Sequence, residues 1–132
     1  MIKYGYLVLP GAKRNRYVTV AVDRPGKEDP EQVHTAAFAF CCPKDMFSKA
    51  RGRKITEGRL REKKGVVQFV HNGTLSKAIE CALQTAITSD GERPEDCRLI
   101  PPFVARAIRR NKIIFGLGPA SRPLIDNGLI EG

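Results

Sequence analysis

Three short apolar segments at the start of the chain constrain the fold most, because the links between them are too short to hold a helix. Met1–Leu9 is rich in aromatic and β-branched residues and stops at the turn-forming pair Pro10–Gly11. Arg16–Val22 alternates along its length, and Val33–Cys41 forms a third segment of the same kind. Parallel neighbours would need a crossover of a dozen or more residues. The sequence therefore predicts an antiparallel sheet.

The second half of the chain adds helices to this sheet. Val66–Val70 predicts a fourth strand, and Thr74 is a good N-cap for an amphipathic helix of about four turns whose apolar residues recur at three and four. Phe103–Asn111 predicts a shorter helix, and Ile113–Phe115 a short closing strand. We expect an α+β fold: a mainly antiparallel sheet of four or five strands packed with two or three helices.

The length of 132 residues indicates one compact domain, predicted to span residues 1–115. Residues 116–132 are rich in Gly and Pro, and we expect an irregular tail that docks on the domain through Leu124, Ile125, Leu129 and Ile130. No run of apolar residues approaches the length of a membrane span, and the first ten residues lack the features of a signal peptide. These features predict a cytoplasmic protein that does not enter a membrane.

Charge is concentrated in two separate blocks. Residues 43–64 hold nine basic and three acidic residues, a net charge of +6, and residues 98–125 hold six basic residues and no acid. The net charge of the whole chain is +9. Since the segment between the blocks is acidic, the molecule is predicted to be polarised, with surfaces suited to an anionic partner.

The central block has a mixed helical pattern. Pro43 and Asp45 are suited to a helix start, and Met46, Phe47 and Ala50 would anchor its first turns on one face. Beyond that point the cations point in nearly every direction, and two glycines at positions 52 and 58 weaken the helix. Two interpretations follow. The second half is a solvated helix pinned by Arg53–Glu57 and Glu57–Arg61 pairs, or it is a broken segment that faces a ligand.

Both blocks contribute to the predicted contact surface. Its nine cations are Lys49, Arg51, Arg53, Lys54, Arg59, Arg61, Arg106, Arg109 and Arg110. In the helix predicted at Phe103–Asn111, packing of the apolar side on the core is enough to explain why the arginines share the other side. Core packing does not explain in the same way why the central block contains two glycines. We therefore expect Arg53, Lys54 and Arg59 to contribute more to binding than the three arginines at 106, 109 and 110.

Nucleic acid is the polyanion that this charge layout favours, because lysine and arginine gain affinity by displacing counterions from phosphates. A solubilising charged surface is the plainer interpretation. Strand aromatics, namely Tyr4, Tyr6, Tyr17, Phe38 and Phe40, could stack on bases, although core packing explains aromatic residues on strands more often. Recognition motifs of the common RNA-binding domains are absent from the sequence.

A regulatory protein that docks on a larger complex is the alternative. Ala37–Leu60, AFAFCCPKDMFSKARGRKITEGRL, resembles short uncharacterised open reading frames of phage and mobile-element genomes. The resemblance carries no assigned activity and no functional residues. It implies an inhibitor or regulator that acts on an acidic surface of a host protein complex, in host takeover or anti-defence.

Neither catalysis nor a cofactor is predicted. Cys41 and Cys42 are adjacent, which does not match zinc-ligand spacing, and the four cysteines are predicted to be reduced. His71 could form a Cys–His pair with one of these two thiols only if the fold joined them. Gly116 and Gly118 do not continue into a nucleotide-binding loop. The sequence predicts a non-catalytic binding protein without a metal site.

Overall fold

A computed structural model describes residues 1–9, 15–42, 44–110 and 121–123. Five strands form one sheet in the order β1-β2-β3-β4-β5, and each neighbouring pair is antiparallel. The elements in chain order are β1 (Ile2–Leu9), β2 (Arg16–Asp23), β3 (Val33–Phe40), α1 (Lys49–Glu62), β4 (Val66–His71), α2 (Leu75–Asp90), a 3₁₀ turn (Glu95–Cys97), α3 (Pro102–Arg110) and β5 (Ser121–Pro123). The predicted α+β architecture is confirmed.

The main hydrophobic core lies on one face of the sheet. Side chains alternate across a strand, so that β2 sends one set of valines, Val18, Val20 and Val22, to this face, where they are fully buried with Phe38 and Phe69. Helices α2 and α3 cover them. The predicted N-cap of α2 is confirmed, since the Thr74 hydroxyl accepts the Lys77 backbone N–H at 3.3 Å.

Asp90 fastens the link between α2 and α3. One carboxylate oxygen accepts the backbone N–H of Leu99 at 2.7 Å, and the other accepts that of Ile100 at 2.9 Å. A carboxylate that receives two backbone donors compensates for its own burial. This contact places Ile100 in the core and directs the chain into α3.

Helix α1 packs on the other face of the sheet, over β2 and β3. The strands present small side chains there, and Ala21 and Ala37 are fully buried. Gly52 and Thr56 are the buried residues of the helix, and a Cβ added at Gly52 would lie 2.8 Å from the Cβ of Thr19. The missing Cβ allows the helix backbone to approach β2 closely. Gly52 is therefore explained by packing, and the expectation that it faces a ligand is wrong.

The start of α1 differs from the prediction. The helix begins at Lys49, with Ser48 as N-cap accepting the Arg51 backbone N–H at 3.2 Å. Met46 does not anchor the helix, because its side chain is 93% exposed. Phe47 precedes the helix and stacks on Tyr17 with ring centroids 4.8 Å apart. The serine hydroxyl satisfies a free N–H of the first turn, which sets the helix start.

The second half of α1 is an unbroken helix, and the predicted ion pairs of Glu57 with Arg53 and Arg61 do not form among the described residues. The helix is continuous to Glu62, and Lys63 ends it in the left-handed conformation. Arg53 and Glu57 do not pair with each other. Each instead contacts a tyrosine of β1.

Part of the predicted C-terminal organisation can be compared with the structure. Ser121–Pro123 pair with β4 as a strand, within the segment expected to be irregular. The predicted strand Ile113–Phe115 and the predicted contacts of residues 124–132 lie outside the described residues. No described helix is both long and apolar enough to cross a bilayer.

The two glycines of α1 should respond in opposite ways to alanine. Gly52→Ala forces a methyl group against Thr19 and should lower the free energy of unfolding by about 1–3 kcal/mol. Gly58→Ala meets only a guanidinium nitrogen of Arg61 at 3.8 Å, and it should raise that free energy by about 0.5–1 kcal/mol through helix propensity. Urea unfolding followed by circular dichroism measures both. Equal effects of the two changes would show that α1 does not pack closely at Gly52.

Candidate nucleic-acid interface on helix α1

Three cations of α1 are held against the sheet. Arg53 donates from Nη1 to the Tyr6 hydroxyl at 2.9 Å, and Lys49 Nζ lies 4.8 Å from the centre of the Tyr6 ring. Arg59 donates from Nη1 to the backbone carbonyl of Phe38. These contacts position the helix over the sheet. Arg53 and Arg59 therefore have structural partners, although the sequence predicted them as leading contacts for a ligand.

The tyrosines of β1 complete this boundary between helix and sheet. The Tyr4 hydroxyl donates to the Glu57 carboxylate. Burial, with the Glu57 contact second, raises the pKa of Tyr4 to about 12. The hydrogen bond with Tyr6 raises the pKa of Arg53, which stays cationic. Glu57 thus accepts from a tyrosine, and among the described residues it forms no ion pair with the outward cations of the helix.

Three further cations form what we call the α1 cationic stripe: Arg51, Lys54 and Arg61. All three are exposed, and among the described residues no carboxylate lies within ion-pair distance of them. Their spacing of three and seven residues places them along the outward side of the helix over about 15 Å. Gly58 lies between them, and the atom nearest to where its Cβ would be is a guanidinium nitrogen of Arg61 at 3.8 Å. The stripe is an unobstructed line of positive charge.

Helix α3, which belongs to the second predicted block, lies on the opposite face of the sheet. Val104 and Ala107 of α3 are buried in the main core, and Arg106 and Arg109 are exposed. The side chain of Arg110 lies outside the described residues. The structure thus brings six of the nine predicted cations together on α1. It separates the arginines of α3 from them by the thickness of the sheet.

The predicted aromatic set also divides between the two faces. Phe38 is buried in the main core, where it stacks on Phe40 with centroids 5.9 Å apart. Tyr6 and Tyr17 lie on the α1 face and contact Phe47. Phe47 was predicted to be a helix anchor, and no sequence signal placed it on these tyrosines. The ring contacts fix the segment before α1 and hence the direction in which Arg51 points.

The cysteines do not come together with the histidines. His71 is the last residue of β4 and lies beside Val33, the first residue of β3. Cys41 follows the last residue of β3 and so lies at the opposite end of that strand. Cys81 is buried, Cys41 is half-buried, and Cys42 and Cys97 are exposed; no disulfide joins any two of these four described cysteines. Burial raises the pKa of the Cys41 thiol, which makes it a weaker nucleophile. Across the described ranges, no three potential ligands are grouped as a metal site would require.

Two histidines form a buried cluster at one corner of the sheet. His34 accepts from Arg24 Nε at 3.3 Å through Nε2, so that its Nδ1 carries the proton and donates to the Gln32 carbonyl at 3.0 Å. His71 lies against it with ring centroids 5.7 Å apart, and neither of its ring nitrogens forms a hydrogen bond of good geometry with a described residue. Burial lowers the pKa of both imidazoles, and the neighbouring Arg24 guanidinium acts in the same direction.

Comparison with known proteins gave no match to a protein-family model, to a curated protein or to a solved structure.

The histidine cluster predicts a loss of stability on mild acidification. In the unfolded chain the imidazoles titrate near about pH 6.5, whereas the folded chain resists protonation, so that the unfolded state binds more protons as the pH falls. The free energy of unfolding should decline from about pH 7 to about pH 5. Urea titrations at intervals of pH measure this decline. His71→Asn should reduce its slope, and a slope that does not change would contradict the assignment.

Proposed function

We propose that the protein binds nucleic acid through the α1 cationic stripe and does no chemistry on it. The observation that supports the proposal is that Arg51, Lys54 and Arg61 are exposed along one side of a helix packed on the sheet and have no carboxylate partner in the described part of the chain. Phosphates spaced along a strand suit such a line of cations. Gly58 has no side chain, and the guanidinium beside it is that of Arg61, itself a cation of the stripe, so that the sugar-phosphate backbone can lie close to the helix there.

Further cations extend the stripe at its C-terminal end. Lys63 and Lys64 are exposed directly after the helix, two and three residues beyond Arg61. Together with the three cations of the stripe, these two lysines can contact about five phosphates. None of these residues forms a recognised base-reading arrangement. Binding is therefore proposed to depend on charge and to select weakly among sequences.

A protein partner is the second candidate, and one observation favours it. Met46 is almost fully exposed beside Phe47 and Arg51, at the rim of a cleft that also includes Ile55. An exposed apolar side chain next to cations suits a protein surface that is acidic with an apolar centre. This is the form that an inhibitor or regulator docking on a protein complex would take.

Affinity for nucleic acid should depend steeply on salt. If about five phosphates are contacted, affinity falls about five-hundredfold between about 50 and about 200 mM salt. Fluorescence anisotropy with labelled oligonucleotides of several sequences, single- and double-stranded, measures this dependence. The ratio of absorbance at 260 and 280 nm before and after a high-salt wash provides an independent check, because the chain has no tryptophan. A flat salt dependence, or binding of one sequence alone, would contradict the proposal.

Charge reversal tests which surface binds. The triple change Arg51→Glu, Lys54→Glu and Arg61→Glu should abolish measurable binding with an unchanged circular dichroism spectrum, because these side chains are exposed and form no ion pair with a described residue. The matched control is Arg98→Glu, Arg106→Glu and Arg109→Glu, which alters the net charge equally on exposed residues of the opposite side.

The control triple should weaken binding less than the α1 triple. Equal losses would indicate a general effect of net charge, and a larger loss in the control would place the interface on α3. Met46→Ser separates the two candidate functions. It should leave nucleic-acid affinity unchanged, whereas docking through an apolar protein contact would be weakened.

A further inference from the structure

The outer edge of β1 is open in the described part of the chain. All eight residues of β1 pair with β2, and no described strand pairs with its other side. In an antiparallel ladder, successive residues direct their backbone N–H and C=O groups alternately to the two neighbours. About half of the backbone groups of β1 therefore point away from β2, ready to pair with another strand.

This edge lacks the features that usually prevent strand pairing. Lys3 is its one charged residue, and it contains no proline. Ile2 is 40% exposed and Val8 is 51% exposed, one near each end of the strand. Natural edge strands are commonly short, charged or interrupted, and a long apolar edge invites association. The edge of β1 is suited to a partner strand.

The sequence of β1 indicates which strand that is. The sequence of β1 is nearly symmetric around Gly5. Tyr4 and Tyr6 flank the glycine, and Ile2 and Val8 lie three residues to either side of it. When a strand pairs antiparallel with a copy of itself about a two-fold axis at Gly5, each residue meets its own mirror position. Ile2 then faces Val8 of the second copy, and Tyr4 faces Tyr6. We infer that two copies of this chain associate through β1 in this register.

The register also satisfies the requirements of cross-strand pairing. Directly opposed residues lie on the same face of a sheet, and here the two exposed β-branched residues and the two tyrosines pair among themselves. Lys3 meets Leu7 of the second copy, so that no like charges are opposed. Gly5 has no side chain at the axis, and its α2 side is filled by Ile79, whose Cγ1 would lie 3.1 Å from an added Cβ.

The pairing of two β1 strands has a consequence for nucleic-acid binding. This consequence rests on the proposed function, whereas the pairing itself does not. A two-fold axis perpendicular to the sheet places both copies of α1 on the same face of a continuous ten-stranded sheet. With neighbouring strands about 4.8 Å apart, the two helices, each over β2 and β3, would lie about 20 Å apart. Both cationic stripes would then be available to one nucleic acid, which increases affinity without any new contact.

The experiment measures the mass of the full chain without nucleic acid. Protein treated with nuclease and washed in high salt, with the absorbance ratio confirming removal of nucleic acid, is examined by light scattering and sedimentation over about a hundredfold range of concentration. The expected result is twice the chain mass of 14.6 kDa at the upper concentrations. The Arg51, Lys54 and Arg61 reversal should lose nucleic-acid binding and remain dimeric, so that the two proposals can fail separately.

Two charge variants test the register. Ile2→Lys with Val8→Lys opposes like charges twice across the interface and should raise the dimer dissociation constant about tenfold or more. Ile2→Lys with Val8→Glu changes the same exposed positions but opposes unlike charges, and it should remain dimeric. Circular dichroism checks that both variants fold. If the first does not, Val8→Lys alone takes its place.

Three results would overturn the inference. The unaltered chain could remain a monomer at every concentration, which would mean that other residues of this chain or another protein's strand cover the edge. The dimer could persist unchanged in the lysine pair, which would place the interface elsewhere. Equal weakening by both variants would exclude the register about Gly5.

Discussion

The approach of α1 to β2 at Gly52 is the contact on which the proposed binding surface depends. A helix backbone can lie this close only where neither element has bulky side chains, and here glycine meets a threonine with buried alanines on the neighbouring positions. The helix has little apolar surface of its own, so that its position is set by shape and by hydrogen bonds. Close packing of small residues takes the place of a hydrophobic stripe.

This packing divides the cations of α1 by direction. Those nearest the sheet find partners in it: the Tyr6 hydroxyl for Arg53 and a backbone carbonyl of β3 for Arg59. Those on the far side, Arg51, Lys54 and Arg61, form no ion pair with any described residue. Glu57 accepts a hydrogen bond from Tyr4 and does not lie within ion-pair distance of them. The fold thereby concentrates uncompensated positive charge on the outward side of one helix.

Sequence patterns were sufficient to predict a strand or a helix where the pattern depends on the residues of that element alone. Alternation predicted the strands from Arg16 and Val33, and the apolar repeat after Thr74 predicted α2 together with its cap, because periodicity and capping are local properties. Helix α1 was harder, because the reason for its glycine is a threonine thirty-three residues earlier in the chain. A glycine needed for close packing and a glycine needed for a ligand look the same in sequence.

The sequence by itself determined the fold class, the antiparallel pairing of the first strands and the presence of two basic blocks, since these follow from periodicity, short links and composition. Only the tertiary structure decided that α1 and α3 lie on opposite faces of the sheet, and which cations of α1 have no ion-pair partner among the described residues. It also decided that the symmetric strand β1 lies at an edge. The physical reason is that solvent exposure and charge compensation depend on neighbours brought together by folding, which a linear pattern does not contain.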